Sequence, residues 1–143
     1  MQRSERMQSL VKLALNEEND AAKELAEAIS NVEKQQSGLQ ELLDYRDDYT
    51  KKFHATTNTN ALGMQQFSSF VAQLNQGIEH QKLVMIQVSQ LVDEKRQKWI
   101  ELHNRTRALD KVVEKYAKQE DMTKEKLEQK MLDECAMRKV KKF

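Results

Sequence analysis

Ala55-Thr56-Thr57-Asn58-Thr59-Asn60-Ala61-Leu62-Gly63 interrupts a hydrophobic repeat that otherwise runs along nearly the whole chain. Threonine and asparagine side chains compete for backbone hydrogen bonds and favour turns, and Gly63 lowers helix stability. Upstream, alternate steps of four and three residues from Met7 land on Val11, Ala14, Glu18, Ala21, Leu25, Ala28, Val32, Gln35, Leu39, Leu42, Arg46, Tyr49 and Phe53. Downstream, the same stepping from Phe67 gives Val71, Leu74, Ile78, Gln81, Met85, Val88, Val92, Lys95, Trp99, Leu102, Thr106, Leu109, Val113 and Tyr116. This spacing lays a mostly apolar stripe along a helix wound to about 3.5 residues per turn, and only another helix covers such a stripe. A break of this length lets the two stripes fold back on one another. The expected fold is all-α, a long antiparallel two-helix coiled-coil hairpin forming one domain over residues 1–143. Helix one should span about 4–54, the loop 55–63 and helix two about 64–140, with Ser4 as the first cap.

Composition agrees. The chain has 143 residues, no proline, three glycines and 33% charged residues with a net charge of +1. Ala, Glu, Lys, Leu, Gln and Arg dominate, as in long helices. Aromatic residues are too few for a thick core. The charged start, Met1-Gln2-Arg3-Ser4-Glu5-Arg6, lacks the apolar run of a signal peptide, and no stretch approaches the ~18–20 apolar residues of a membrane span. The one cysteine, Cys135, has no internal disulfide partner. These features suggest a reduced, cytoplasmic, soluble protein without direct membrane insertion. The balanced charge gives no reason to propose nucleic acid as the main partner.

If Phe53 faces Phe67, Trp99 faces Ala21, Val88 faces Val32, Ile78 faces Leu42, Leu109 faces Val11 and Val113 faces Met7. The largest side chain then meets a row of small ones, Ala14, Ala21 and Ala28, as an interlocking seam requires. Helix one runs out near Met7, so roughly 27 residues after Tyr116 lose their cover, ~40 Å if helical. Asp121-Met122-Thr123 offers a cap for a separate helix there. Leu127, Met131, Leu132 and Met137 in this overhang should be buried by something outside the hairpin.

A second stripe lies near the loop. Leu42, Tyr45 and Tyr49 on helix one, and Phe70, Leu74, Gly77 and Gln81 on helix two, flank the seam. They form either an exposed protein contact or a core widened where the loop folds over. The polar seam residues Glu18, Gln35, Arg46, Gln81 and Lys95 either fix the register or snorkel from a thin core. The basic run Arg138-Lys139-Val140-Lys141-Lys142-Phe143 suits a helix C-terminus, with contact to an acidic surface or anionic lipid as the second reading. His54, His80 and His103 lie far apart, and no metal motif, phosphate-binding loop or placed nucleophile occurs. The expectation is a non-enzyme with no cofactor, no catalytic residues and no metal.

Several blocks, taken in order, resemble the FliJ family, the coiled-coil component of the bacterial flagellar type III export apparatus. They are Asp44-Tyr45-Arg46-Asp47-Asp48-Tyr49, then Gln65-Gln66-Phe67, Phe70-Val71-Ala72-Gln73-Leu74-Asn75-Gln76-Gly77-Ile78-Glu79-His80-Gln81, Trp99, and Leu132-Asp133-Glu134-Cys135-Ala136-Met137-Arg138. The resemblance implies an antiparallel coiled coil similar to the central stalk (gamma) subunit of rotary ATPases. It implies that the terminal ends insert into the hexameric export ATPase, FliI, promoting its assembly and activity, at the cytoplasmic face of the inner membrane. It further implies contact with the export gate protein, FlhA, and with export chaperones. The gate-facing residues carry over to Leu42, Tyr45, Tyr49, Phe70, Leu74, Gly77 and Gln81. The family usually has Ala and His where this chain has Gly77 and Gln81. Met7, Val11, Met131 and Arg138 are assigned to the ATPase by location. The free protein is expected to be a monomer. Rival readings are a homodimeric structural coiled coil, a general export chaperone, and the equivalent stalk of a virulence-type secretion system.

Overall fold

A computed structural model of the chain describes residues 2–56 and 60–141. They form two helices, α1 (Arg3–Ala55) and α2 (Ala61–Lys141). The fold is all-α, as the repeat requires, and α1 packs against α2 along the predicted stripe. Of the expected turn, Thr57, Asn58 and Thr59 lie outside the described residues, as do Lys142 and Phe143 of the basic run.

The helix ends differ from expectation in informative ways. α2 begins at Ala61, because Asn60 caps it: its Oδ1 accepts the Gly63 N–H at 2.8 Å. Gly63 is therefore the third residue of the first turn, not part of the break, and its N–H is one of the donors a cap satisfies. At the end of α1, Thr56 closes the last turn. Its N–H donates to the Phe53 carbonyl and its hydroxyl to the Lys52 carbonyl. Asp121-Met122-Thr123 does not start a new helix. α2 runs through it, and the Thr123 hydroxyl donates to the Gln119 carbonyl one turn back.

The contacts fall into two compact units. In the unit Ala21–Trp99, α1 and α2 form an antiparallel hairpin. Ala21, Ala28, Ile78 and Val92 are its buried apolar side chains, and all four lie on the predicted stripe. Phe53 stacks on Phe67 with ring centroids 3.8 Å apart, the pairing that sets the register. Gln81 donates from Nε2 to the Gln35 carbonyl and side-chain oxygens. Arg46 reaches Asn75 at 2.9 Å, and Lys95 donates to Glu24 at 3.1 Å.

The other unit comprises Met1–Asp20 and Ile100–Phe143. Here too the helices are antiparallel, with Ala14, Glu18 and Thr106 buried. Glu18 meets His103 at 2.6 Å. Ser4 is not a cap. It lies one residue inside α1, buried, with its hydroxyl donating to Glu120 Oε2 at 2.5 Å and its N–H to Glu120 Oε1 at 3.2 Å. A carboxylate on α2 thus satisfies the amino end of α1, a position where negative charge is favoured. The seam polar residues consequently do more than snorkel: Glu18, Gln35, Gln81 and Lys95 each bond across the helix pair.

Beyond Glu120, α2 continues without α1. Every side chain from Asp121 to Val140 is exposed. The uncovered segment starts one turn later than Tyr116, because the Ser4–Glu120 clasp extends the pairing.

Candidate functional sites: the flank of the hairpin and the bare end of α2

Two surfaces carry the residues singled out by the sequence. The first is in the unit Ala21–Trp99. Five aromatic rings join there across the helices. Tyr49 lies between Phe67 and Phe70, with centroids at 5.5 and 4.6 Å, and Tyr45 meets the Phe70 ring edge at 6.0 Å. Phe53 and Phe67 close the row. Such pairs add stability beyond the area they bury. Tyr49 and Phe70 are half-buried, whereas Tyr45 is 53% exposed. The cluster therefore serves both as a widened core and as a surface, with Tyr45 its most exposed ring.

Leu42 and Leu74 are half-buried beside these rings. Gly77 is exposed, and a Cβ built on it would meet nothing within 4 Å. Gln81 stands apart from this surface. Its amide is turned into the helix pair against Gln35, 3.6 Å from where a Cβ on Gly38 would sit. The structure thus gathers Leu42, Tyr45, Tyr49, Phe70 and Leu74 around one cluster, leaves Gly77 open beside it, and spends Gln81 on the seam. Neither Gly38 nor Gly77 has a positive φ, and each costs a helix about 1 kcal/mol relative to alanine.

The far end of this unit is ionic. Glu24 takes Lys95 at 3.1 Å and Lys98 at 3.6 Å. The Lys95 hydrogen bond, then the charges of Lys95 and Lys98, hold its carboxyl below the usual range.

The second surface is the bare end of α2 in the other unit. Met122, Leu127, Met131, Leu132, Met137 and Val140 are all exposed, Leu132 at 70%. They do not share one face. At 100° per residue, Leu127 and Met131 continue the seam, Met122 and Val140 lie opposite, and Leu132 and Met137 fall on the two sides between. The apolar side chains of this stretch are thus spread around the helix, among charged ones. Of the residues assigned to this region, Met131 and Arg138 are exposed on the bare helix. Met7 and Val11 are half-buried on the paired stretch of α1.

The clasp at the start of the bare helix was not legible in sequence. Ser4 and Glu120 are 116 residues apart. Ser4 hydrogen bonds lower the Glu120 pKa despite some desolvation, and Arg3 lies over the Tyr116 ring, 5.7 Å from its centroid. Among the described residues, no group of three or more His, Cys, Asp or Glu could hold a metal ion. No described helix is long and apolar enough to cross a membrane.

The model of the family described as "Flagellar FliJ protein" matches residues 2–142 of the chain. The chain belongs to the flagellar FliJ family. A FliJ protein from Salmonella typhi is 26% identical over 135 residues, covering 92% of this chain and 91% of that protein. No solved structure gives a significant match. Membership makes this a protein associated with flagellar export. In a FliJ-family chain the two surfaces are two candidate contacts with that machinery, one apolar and aromatic, the other a helix without a partner.

Proposed function

We propose that this chain is a non-enzymatic stalk and coupling protein of the flagellar type III export apparatus, acting as one domain. Its bare α2 end, with the amino-terminal part of α1, inserts into the hexameric export ATPase, FliI, and promotes ring assembly and hydrolysis. Met7, Val11, Met131 and Arg138 contribute to that contact. Leu42, Tyr45, Tyr49, Phe70, Leu74 and Gly77 form the side that docks on the gate protein, FlhA. Gln81 supports this surface by holding the seam beneath it. Export chaperones are further partners. The chain works in the cytoplasm, recruited to the inner membrane at the flagellar base.

The observation that carries this reading is the uncovered helix from Asp121 to Val140, with large apolar side chains on more than one face. A two-helix seam buries one stripe. Apolar groups distributed around a helix need an enclosing partner, and the lumen of a protein ring supplies one. The test is to add the protein to purified export ATPase and follow hydrolysis and ring formation. Stimulation of both is expected, and a flat response in both assays would count against the stalk.

A further inference from the structure

The gate-facing surface continues well past the aromatic cluster. α2 carries Phe70, Gly77, Val84 and Leu91 at seven-residue intervals on one flank of the seam. α1 carries Tyr45, Gly38, Asn31 and Glu24 at the same interval. Two contacts establish that these rows border the same side: Tyr45 meets Phe70 at 6.0 Å and Glu24 meets Lys98 at 3.6 Å. Flanking positions of a two-helix coil are ordinarily charged. Here the middle of the face has none. Gly38 and Gly77 lower its floor, Val84 is half-buried and Leu91 is exposed. Nothing in the fold fills the space over Gly77. The result is an uncharged strip from the aromatic cluster to the Glu24–Lys98 pair, a shallow trough where the space over Gly77 is open.

We propose that this trough, lined by Gly38, Tyr45, Phe70, Gly77, Val84 and Leu91, docks an amphipathic helix of the gate partner that carries basic residues on the flanks of its apolar stripe. A heptad row is matched by helical periodicity, and helix-in-groove docking uses anchors at this spacing. From Phe70 to Leu91 the trough takes a helix ~30 Å long. The rim sets the sign of the partner's flanks. Three residues outward, α1 presents Glu27, Glu41 and Asp48 against Lys34, while α2 presents Gln73, His80, Gln87 and Glu94. Complementary charge at a rim acts mainly on specificity and on the rate of association. The glycines let the partner's larger side chains sit close to the seam. This inference rests on reading the aromatic side as the gate-docking surface, and extends it by two heptads.

The experiment is a calorimetric titration of the full chain with the cytoplasmic part of the gate protein. Gly77→Leu fills the trough and Leu91→Glu charges it, at positions where the fold has room. Leu83→Glu, 60% exposed and about 100° around α2 from this row, is the control. Circular dichroism of each free variant should match that of the unaltered chain. Binding should fall at least tenfold for Gly77→Leu and Leu91→Glu and stay unchanged for Leu83→Glu. The double variant Glu41→Lys, Asp48→Lys should lower affinity severalfold, and added salt should weaken binding of the unaltered chain. If Tyr45→Ala and Phe70→Ala abolish binding while Gly77→Leu and Leu91→Glu leave it intact, the docking surface stands and the trough does not. If the unaltered chain fails to bind, both readings fall.

Discussion

The carboxylate of Glu18 lies in the seam, with its Oε1 2.6 Å from Nδ1 of His103 on the facing helix. Glu18 is 9% exposed. Its pKa is lowered chiefly by the His103 hydrogen bond, then by Thr106 and the His103 charge, against the opposing effect of burial. A carboxyl depressed in the folded state contributes stability that is present above its unfolded pKa. That contribution is lost as pH falls through the folded value. Glu18→Gln should therefore cost about 1–2 kcal/mol near neutrality and flatten the acid limb of the stability profile. Urea midpoints at pH 7 and below pH 4 measure this. Equal acid sensitivity in both proteins would remove Glu18 from the account.

Glu120→Ala should unfasten the amino end of α1 while leaving the rest of the helix pair intact. The clasp gives the Ser4 N–H and hydroxyl their acceptors. Faster amide exchange should be confined to the first turns of α1. Because the Glu120 pKa is lowered by these bonds, the same fraying should appear in the unaltered chain as acid protonates the carboxyl. Unchanged exchange at Ser4 and Glu5 in the variant would contradict the clasp.

Gly77→Ala should raise stability by up to about 1 kcal/mol, since it relieves the helix cost of glycine and its Cβ meets nothing. Chemical denaturation reads this directly. A loss of stability would mean that the position is packed.

Core and surface roles separate within the aromatic cluster. Phe67→Ala removes a ring stacked on Phe53 and placed beside Tyr49, and should cost about 2–4 kcal/mol. Tyr45→Ala trims an exposed ring and should cost about 1 kcal/mol or less. If Tyr45→Ala is as damaging as Phe67→Ala, Tyr45 belongs to the core and its place on the docking surface is lost.

Most of the fold was readable because one periodicity dictates it. The stripe from Met7 to Phe53 and its counterpart from Phe67 have the spacing of a helix seam. The size match around Ala14, Ala21 and Ala28 supported the register without separating it from a slip of one heptad, which the Phe53–Phe67 stack excludes. What escaped sequence reasoning was local and polar. Ser4 looked like a cap because serine often is one, but its partner is a carboxylate on the other helix. Gly63 looked like a breaker because its place in the first turn depends on where Asn60 caps. Asp121-Met122-Thr123 looked like a restart, yet the Thr123 hydroxyl bonds back within a continuing helix. Gln81 fitted both the seam and the surface stripe by spacing, and only its bond to Gln35 separates the two. The row Gly77, Val84 and Leu91 has heptad spacing but was not singled out from the sequence. Its meaning required knowing that Gly38 lies across the same seam and that the space above Gly77 is open.

The central claim is that the bare end of α2 is enclosed by the export ATPase ring. The direct measurement compares ATP hydrolysis and ring formation by the purified ATPase with the unaltered chain and with a Leu127→Glu, Met131→Glu, Leu132→Glu variant. These side chains are exposed in the free protein, so the variant should keep its helix content. The account predicts stimulation by the unaltered chain and its loss in the variant. Full stimulation by the correctly folded variant would contradict it.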